Sequence, residues 1–196
     1  MELYLTSDLH LVHQPAFVWE PRGFSSVDEM DEAIVERWNK VVKPEDRVIC
    51  LGDIMLSNTE KGLEYFKRLN GEICLIWGNH DSPRRQEELA KLPNVIILGY
   101  AHVFKYKKLN FYISHYPTLT ANFDADKHFS TNVIACAGHT HSKNKFLDEN
   151  NPFLYNVCMD AHNCYPVHID EIISDCRNKF LSLKSEKLAQ NINNNG

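Results

Sequence analysis

The sequence predicts an α/β domain that is parallel in its first third and richer in antiparallel strands after it. Two observations carry this. Up to residue 77, short apolar runs alternate with amphipathic segments, the β-α-β-α-β pattern of parallel strands joined by right-handed crossovers. From Val95 onward, strand-like runs follow one another, and Lys107-Lys108-Leu109 suits a tight hairpin connection between two of them.

Leu3–Ser7 reads as the first strand. Ser26 then opens a helix as its N-cap, and Glu29 three residues later completes a capping box. Met30, Ile34, Trp38 and Val41 give that helix one apolar face. Pro44-Glu45-Asp46 is a turn, Arg47–Leu51 a strand, Thr59 to Leu69 a second helix, and Glu72–Trp77 a third strand. A helix near Pro83–Leu92 follows. Val95–Leu98, His102–Tyr106, Asn110–Ser114, Val133–Ala137, Phe146–Leu147 and Phe153–Cys158 read as further strands. The polar stretch 117–131 reads as a loop and Ile169–Asp175 as a short helix. Residues 1–181 are expected to form a single domain. The Asn-rich segment Ser182 to Gly196 is expected as a frayed or disordered tail.

Composition narrows the function classes. At 196 residues, 43% hydrophobic and 24% charged, the chain suits one soluble domain with a sizeable core. A net charge of -5 does not indicate a nucleic-acid partner. No apolar run reaches membrane-spanning length, and the first strand follows Met1-Glu2 directly, so neither a membrane span nor a signal peptide is expected. The six cysteines include no Cys-x-x-Cys pair, so a zinc-thiolate site is not expected, and their scatter suits a reducing cytoplasm.

Five short signatures carry the chemistry: Asp8-Leu9-His10, Gly52-Asp53, Gly78-Asn79-His80-Asp81, His115 and Gly138-His139-Thr140-His141. Each follows or interrupts an apolar run, so each ligand type would reach the carboxyl edge of a sheet, where open α/β folds place their sites. Oxygen and nitrogen donors without thiolate suit a pair of divalent cations. Gly52, Gly78 and Gly138 each precede a candidate ligand, where a tight turn or close backbone approach is needed.

The set, in this order, resembles the calcineurin-like metallophosphoesterases over about Leu3 to Pro166, in particular the small, cap-less bacterial or phage members. The resemblance implies two packed mixed β-sheets flanked by helices. It implies two divalent metal ions, most simply Mn²⁺, with Fe, Zn or Ni also accepted by such donors. Asp8, His10 and His141 would join a bridging Asp53 around one ion, and Asn79, His115 and His139 would join it around the other. Asp53 is expected to give one oxygen to each. His80 would then act as general acid or as an electrostatic clamp, with Asp81 orienting its imidazole. The expected activity is hydrolysis of phosphate esters by metal-bound hydroxide, leaning to diesters of a small molecule. The alternatives are a phosphomonoesterase or protein phosphatase, a nuclease of the same fold, and a non-catalytic metal-binding scaffold.

Other residues carry two readings each. His13 and Arg22 either reach a substrate phosphate or form a surface loop pair. Asp160 and Asn156 are ambiguous, one reading being support of a loop by hydrogen bonding to ligands, and Asn39 is expected to tie a helix end. His102 and His168 read as satisfied core residues, His128 as solvated, and His162 either lines the cleft or does not.

Overall fold

The computed structural model describes residues 1–118 and 127–194, with side chains described through residue 190. Strand β1 (Leu3–Thr6) is followed by a short helix α1 (Ala16–Trp19) and by α2 (Val27–Val41). Next come β2 (Arg47–Cys50), α3 (Thr59–Phe66), β3 (Glu72–Ile76), α4 (Pro83–Ala90), β4 (Val95–Gly99), β5 (Ala101–Tyr106) and β6 (Leu109–Ser114). After a 3₁₀ turn at Phe129–Thr131 follow β7 (Val133–Ala137), β8 (Leu154–Asn156), a second such turn at Met159–Ala161, β9 (Val167–His168) and α5 (Ile169–Asn194).

Two mixed sheets result. One has the order β4-β3-β2-β1-β9 and the other β5-β6-β7-β8. Strands β1 to β4 pair in parallel, as the alternation of strands and helices predicts, and β9 closes that sheet antiparallel to β1. In the second sheet β5 and β6 form the expected hairpin, and β6, β7 and β8 run parallel. Lys107 and Lys108 supply its turn, both with positive φ (46° and 68°), as a two-residue primed turn requires.

Period-2 alternation explains why the central strands are apolar throughout. Val48, Cys50, Ile73 and Leu75 face the helix layer, where Met30, Ile34, Trp38, Leu63, Phe66 and Leu89 pack on them. Ile49, Leu51, Cys74 and Ile76 face the second sheet and meet Phe111, Ile113, Ile134, Cys136 and Tyr155. Helix α5 adds Ile172, Ile173, Cys176 and Phe180 to this second core. All six cysteines are free and buried. Among the described residues no helix is long and apolar enough to cross a membrane.

Several expectations need adjustment. Ser26 does cap α2, accepting from Glu29 N, but the Glu29 carboxylate takes the N–H of Ser25 and not that of Ser26. Phe146 contributes only an isolated bridge to Tyr155, since the chain around it turns between polar bends. Helix α5 is not a short segment ending at Asp175 but continues through Asn194. Residues 185–190 of it are exposed, so no apolar stripe marked them in the sequence. Helix α1 and strand β9 carry no periodicity at four and two residues. Most of the expected loop at 117–131, and residues 195–196, lie outside the described residues.

Candidate metal centre

The carboxyl ends of β1, β2, β3, β6 and β7 converge, and the loops leaving them carry the candidate ligands. These loops are tied to each other before any ligand is considered. Asp8 N donates to Gly52 O and His10 N to Asp53 O, each at 3.0 Å, and Gly138 N donates to His115 O at 3.0 Å. The two sheets meet here as well: Met159 N donates to Ser7 O, and His139 N to Asp8 Oδ2 at 2.9 Å. Two glycines make this approach feasible. A Cβ on Gly52, whose φ is +92°, would land on the backbone of Gly78, and one on Gly138 would collide with Ser7 Oγ and Asp8 Oδ2.

Five of the candidate ligands occupy the left-handed region: Asp8 (φ 59°), His10 (54°), Asp53 (53°), His139 (69°) and His141 (51°). Each such residue costs about 1–3 kcal/mol and persists only where surrounding contacts over-determine it. Their concentration in one place marks the loops as shaped for a purpose other than stability.

The structure gathers Asp8, His10 and His141 into one cluster and Asp53, His115 and His139 into a second, the donor atoms in each lying within 4.8 Å of one another. Within the first, Ser7 Oγ and His139 N both donate to Asp8 Oδ2, at 2.5 and 2.9 Å, which leaves Asp8 Oδ1 free. His10 Nδ1 meets His13 Nδ1 at 3.0 Å, leaving His10 Nε2 free. His141 Nδ1 meets Asp160 Oδ2 at 3.0 Å, leaving its Nε2 to point at Asp8 Oδ1, 3.8 Å away. In the second cluster His115 Nδ1 donates to Leu51 O at 2.7 Å, while its Nε2 faces Asn79 Oδ1 (2.8 Å) and His139 Nδ1 (3.2 Å).

Asp53 stands between the two. Its Oδ1 accepts the N–H of His80 at 2.8 Å, and its Oδ2 lies 3.6 Å from His10 Nε2 and 3.5 Å from His115 Nε2. The arrangement therefore differs from the expected one oxygen per ion: a single oxygen faces both clusters, because the other is held by backbone.

These residues fit a pair of cations. Asp8 Oδ1 and His10 Nε2 are buried without a hydrogen-bond partner, a costly arrangement unless something else occupies them. The spacings of 3.5 to 3.8 Å are long for hydrogen bonds. They approach the roughly 3–3.5 Å between two donors that each lie about 2.1 Å from one ion. Burial alone would raise the Asp8 carboxyl, but the neighbouring imidazoles of His10 and His115 and the Ser7 hydroxyl outweigh it and hold it well below the usual carboxylate range. Asp53 is lowered against its burial by His10, His115 and the His80 N–H.

Around the clusters, several side chains have different roles from those expected. Arg22 does not reach toward a phosphate. Its side chain is 1% exposed, paired with Asp160 through Nε (3.1 Å) and a terminal nitrogen (2.8 Å), and bonded to the carbonyls of Asp8 and Leu9. It holds the first ligand loop from behind. His13 is buried against His10, and burial together with the charges of His10, His80 and His141 pushes its pKa down to about 4, so it is neutral near pH 7. Asp81 does not back the His80 ring: its carboxylate accepts the N–H groups of Asp53, Ile54 and Gly78 at 2.8 to 3.1 Å. It locks two ligand loops together. His80 itself is 45% exposed in its side chain, with Nε2 4.0 Å from Asp53 Oδ2.

Asp160 collects His141, Arg22 and the Cys158 thiol, and Asn156 anchors the loop after His141 through the carbonyls of Ser142 and Asn144. Asp160 thus bonds to a candidate ligand, whereas the Asn156 side chain bonds to backbone alone. Asn39 ties α2 to the turn after α3 through Arg68 O and Asn70 N. His162 bonds to Asn156 O and lies over Tyr155, away from the ligands. His128 is exposed and caps the first 3₁₀ turn, and His168 is paired with Glu2 at the surface and not buried in the core. His102 is half-buried. Ser7 had no signal of its own in the sequence.

Fold and site together define a metal-dependent phosphoric ester hydrolase. Residues 1–156 match the calcineurin-like phosphoesterase superfamily domain, and the chain belongs to that family. It is similar to an uncharacterised protein of Methanocaldococcus jannaschii, 32% identical over 182 residues covering 88% of this chain and 89% of the relative. It is also similar to the gene 66 protein of Mycobacterium phage D29, 29% identical over 195 residues with 88% and 96% of the two chains covered. A crystal structure of an Aquifex aeolicus protein of unknown function shares the fold, with a TM-score of 0.68 at 24% identity, covering 88% of this chain and 98% of that one.

Proposed function

We propose that this protein hydrolyses phosphodiesters with two divalent cations, Mn²⁺ in the first instance. Asp8, His10 and His141 would hold one, Asn79, His115 and His139 the other, and Asp53 both. One observation carries the reading: His10, His115 and His141 each have one ring nitrogen held by the protein and the other turned toward the carboxylates of Asp8 and Asp53. That is how proteins present imidazole to a metal. When bound, such a pair of cations would offset phosphoryl charge and lower the pKa of a coordinated water.

The chain's own residues supply the remainder. His80, exposed beside Asp53, would deliver a proton from its ring to the departing oxygen. Its backbone N–H fixes Asp53 Oδ1, so the base of the cleft and the proton donor share one loop. Asp81 fixes the same loop through Gly78 N and the neighbouring one through Asp53 N and Ile54 N.

The diester preference is supported by what surrounds the ligands. A monoester dianion calls for extra cationic contacts, and the two groups that the sequence offered for them are otherwise engaged. Arg22 is buried against Asp160, and His13 is neutral. The free cysteines, all buried, suit a reducing cytoplasm. The test is bis-p-nitrophenyl phosphate against p-nitrophenyl phosphate at matched Mn²⁺ and pH. A diester preference in kcat/KM is expected. A monoester preference of tenfold or more, about 1.4 kcal/mol at the transition state, would overturn it.

A further inference from the structure

Two large aromatic side chains stand at the ends of the ligand cluster, exposed where burial would favour them. Phe17 is 71% exposed and Tyr116 52% exposed. Each leans on a histidine of the site. Phe17 meets the His13 ring edge-on at 5.4 Å, and His13 stacks on His10 at 5.1 Å, so Phe17 extends the first cluster outward. Tyr116 meets His139 at 4.6 Å and His115 at 5.2 Å, directly beside the second cluster.

The ring planes stand at 88° to His13, 63° to His139 and 76° to His115. With at least half its surface exposed, each ring leaves aromatic area open to a stacking partner. The two clusters share Asp53, so a phosphorus placed between them would have Phe17 toward one end and Tyr116 toward the other. Planar groups suit such faces better than alkyl chains, and nucleobases stack on aromatic side chains with little regard to base identity.

We propose that Phe17 and Tyr116 are stacking rests for the two substituents of the ester, and that the substrate is a nucleotidyl phosphodiester carrying a base on each side of the phosphorus. This rests on the diester reading above. It adds specificity residues that make no contact with the phosphoryl group. Removing one rest should weaken binding of a base-bearing ester by roughly 5- to 150-fold, the range found for base–aromatic stacking.

The experiment compares thymidine 5′-(p-nitrophenyl phosphate) with ethyl p-nitrophenyl phosphate, which share a leaving group and differ in the base. Dithymidine monophosphate reports the two sides together. The wild-type protein should prefer the thymidine ester by tenfold or more in kcat/KM. Of Phe17→Ala and Tyr116→Ala, the one that removes the ring on the thymidine side should reduce that ratio, through a higher KM for the base-bearing ester, and each should slow dithymidine monophosphate cleavage. Tyr116→Phe, which keeps the ring, should retain the ratio. Because the ratio is taken within each variant, a smaller folded fraction does not alter it. A wild-type ratio near one overturns the inference and leaves diester hydrolysis standing. So does an equal loss of both esters in the alanine variants, which would mark the rings as braces for the histidines alone. Hydrolysis of p-nitrophenyl phosphate with no turnover of either diester would instead defeat the diester reading on which the inference rests.

Discussion

The two halves of the ligand cluster are built differently. In the first, Asp8 and His10 are 0% and 2% exposed, and both sit at positive φ. Behind them lie Ser7 and the buried Asp160–Arg22 pair, and His13 stacks beside His10; together these fix ring orientations and brace the loop carbonyls. In the second half Asn79 is exposed and His139 half-exposed, and His115 is held chiefly by Leu51 O. The contrast is one of degree, since His141 of the first half is 35% exposed and His115 of the second is 1% exposed, but the more buried and more braced half would hold an ion the more firmly. The first half is thus the anchored one and the second the accessible one, with Asp53 belonging to both.

Asp53→Asn should have the largest effect, because it removes one negative charge from a carboxylate that faces both clusters. Loss of at least one ion together with activity is expected, measured by metal analysis of the purified variant alongside turnover. Two ions fully retained would show that the halves do not depend on a shared oxygen.

His80→Ala should leave both halves intact. Its ring meets His10 only edge-on, with centroids 5.6 Å apart, and its Nε2 lies 4.0 Å from Asp53 Oδ2, while the backbone N–H that fixes Asp53 survives the substitution. Turnover should fall by about two to four orders of magnitude with both ions present. The loss should shrink for p-nitrophenyl esters, whose leaving group needs little protonation. Equal losses for alkyl and p-nitrophenyl esters would reassign His80 from proton donor to charge stabiliser.

Asp160→Asn tests the asymmetry directly. It weakens the partner of His141 Nδ1 and leaves Arg22 buried without its counter-charge. Metal affinity should drop by about 10- to 100-fold for one ion, with a loss of thermal stability, while the second ion titrates as in the wild type. If both ions weaken equally, the two halves are not independently braced.

How legible this was depends on distance along the chain. The parallel β-α-β core was readable because its strands and helices announce themselves through periods of 2 and 3.6. The ligand types were readable because each follows directly on an apolar run. What surrounds them was not, because it is set by contacts between distant segments. Arg22 lies close behind His10 in sequence, which suggested a phosphate contact, yet its partner Asp160 is 138 residues away. Asp81 adjoins His80 in sequence, but successive side chains in a loop diverge, and its carboxylate turns to the backbone of Asp53 and Ile54. The exposed faces of Phe17 and Tyr116 likewise have no sequence signature, since an aromatic in a loop reads equally as core.

The smallest effect concerns the foundation of the anchored half. Asp31, on α2, is fully buried; its Oδ2 accepts the N–H of Val12 at 3.0 Å, and its Oδ1 has no partner. Val12 is β-branched at φ 61°, so this hydrogen bond helps hold a strained residue of the His10 loop. Burial pushes the Asp31 carboxyl up to about 7, while the Val12 N–H and Lys61 pull it down only in part. The folded value exceeds the unfolded one of about 3.9. Below about pH 4 both states hold the proton and no cost arises. As pH rises toward 7 the unfolded chain ionises first, so the wild-type protein loses stability across that window, and above it the penalty is constant. Asparagine offers the same acceptor to Val12 without titrating. Asp31→Asn should therefore be the more stable protein, by an amount that grows between about pH 4 and 7 and then levels off at a few kcal/mol, at about 1.4 kcal/mol for each pH unit by which the fold raises the carboxyl's pKa. Denaturant midpoints at several pH values, compared at unchanged slope, measure it. A difference that does not vary with pH would mean that Asp31 is ionised in the fold, and that the anchored half rests on a charge and not on a shared proton.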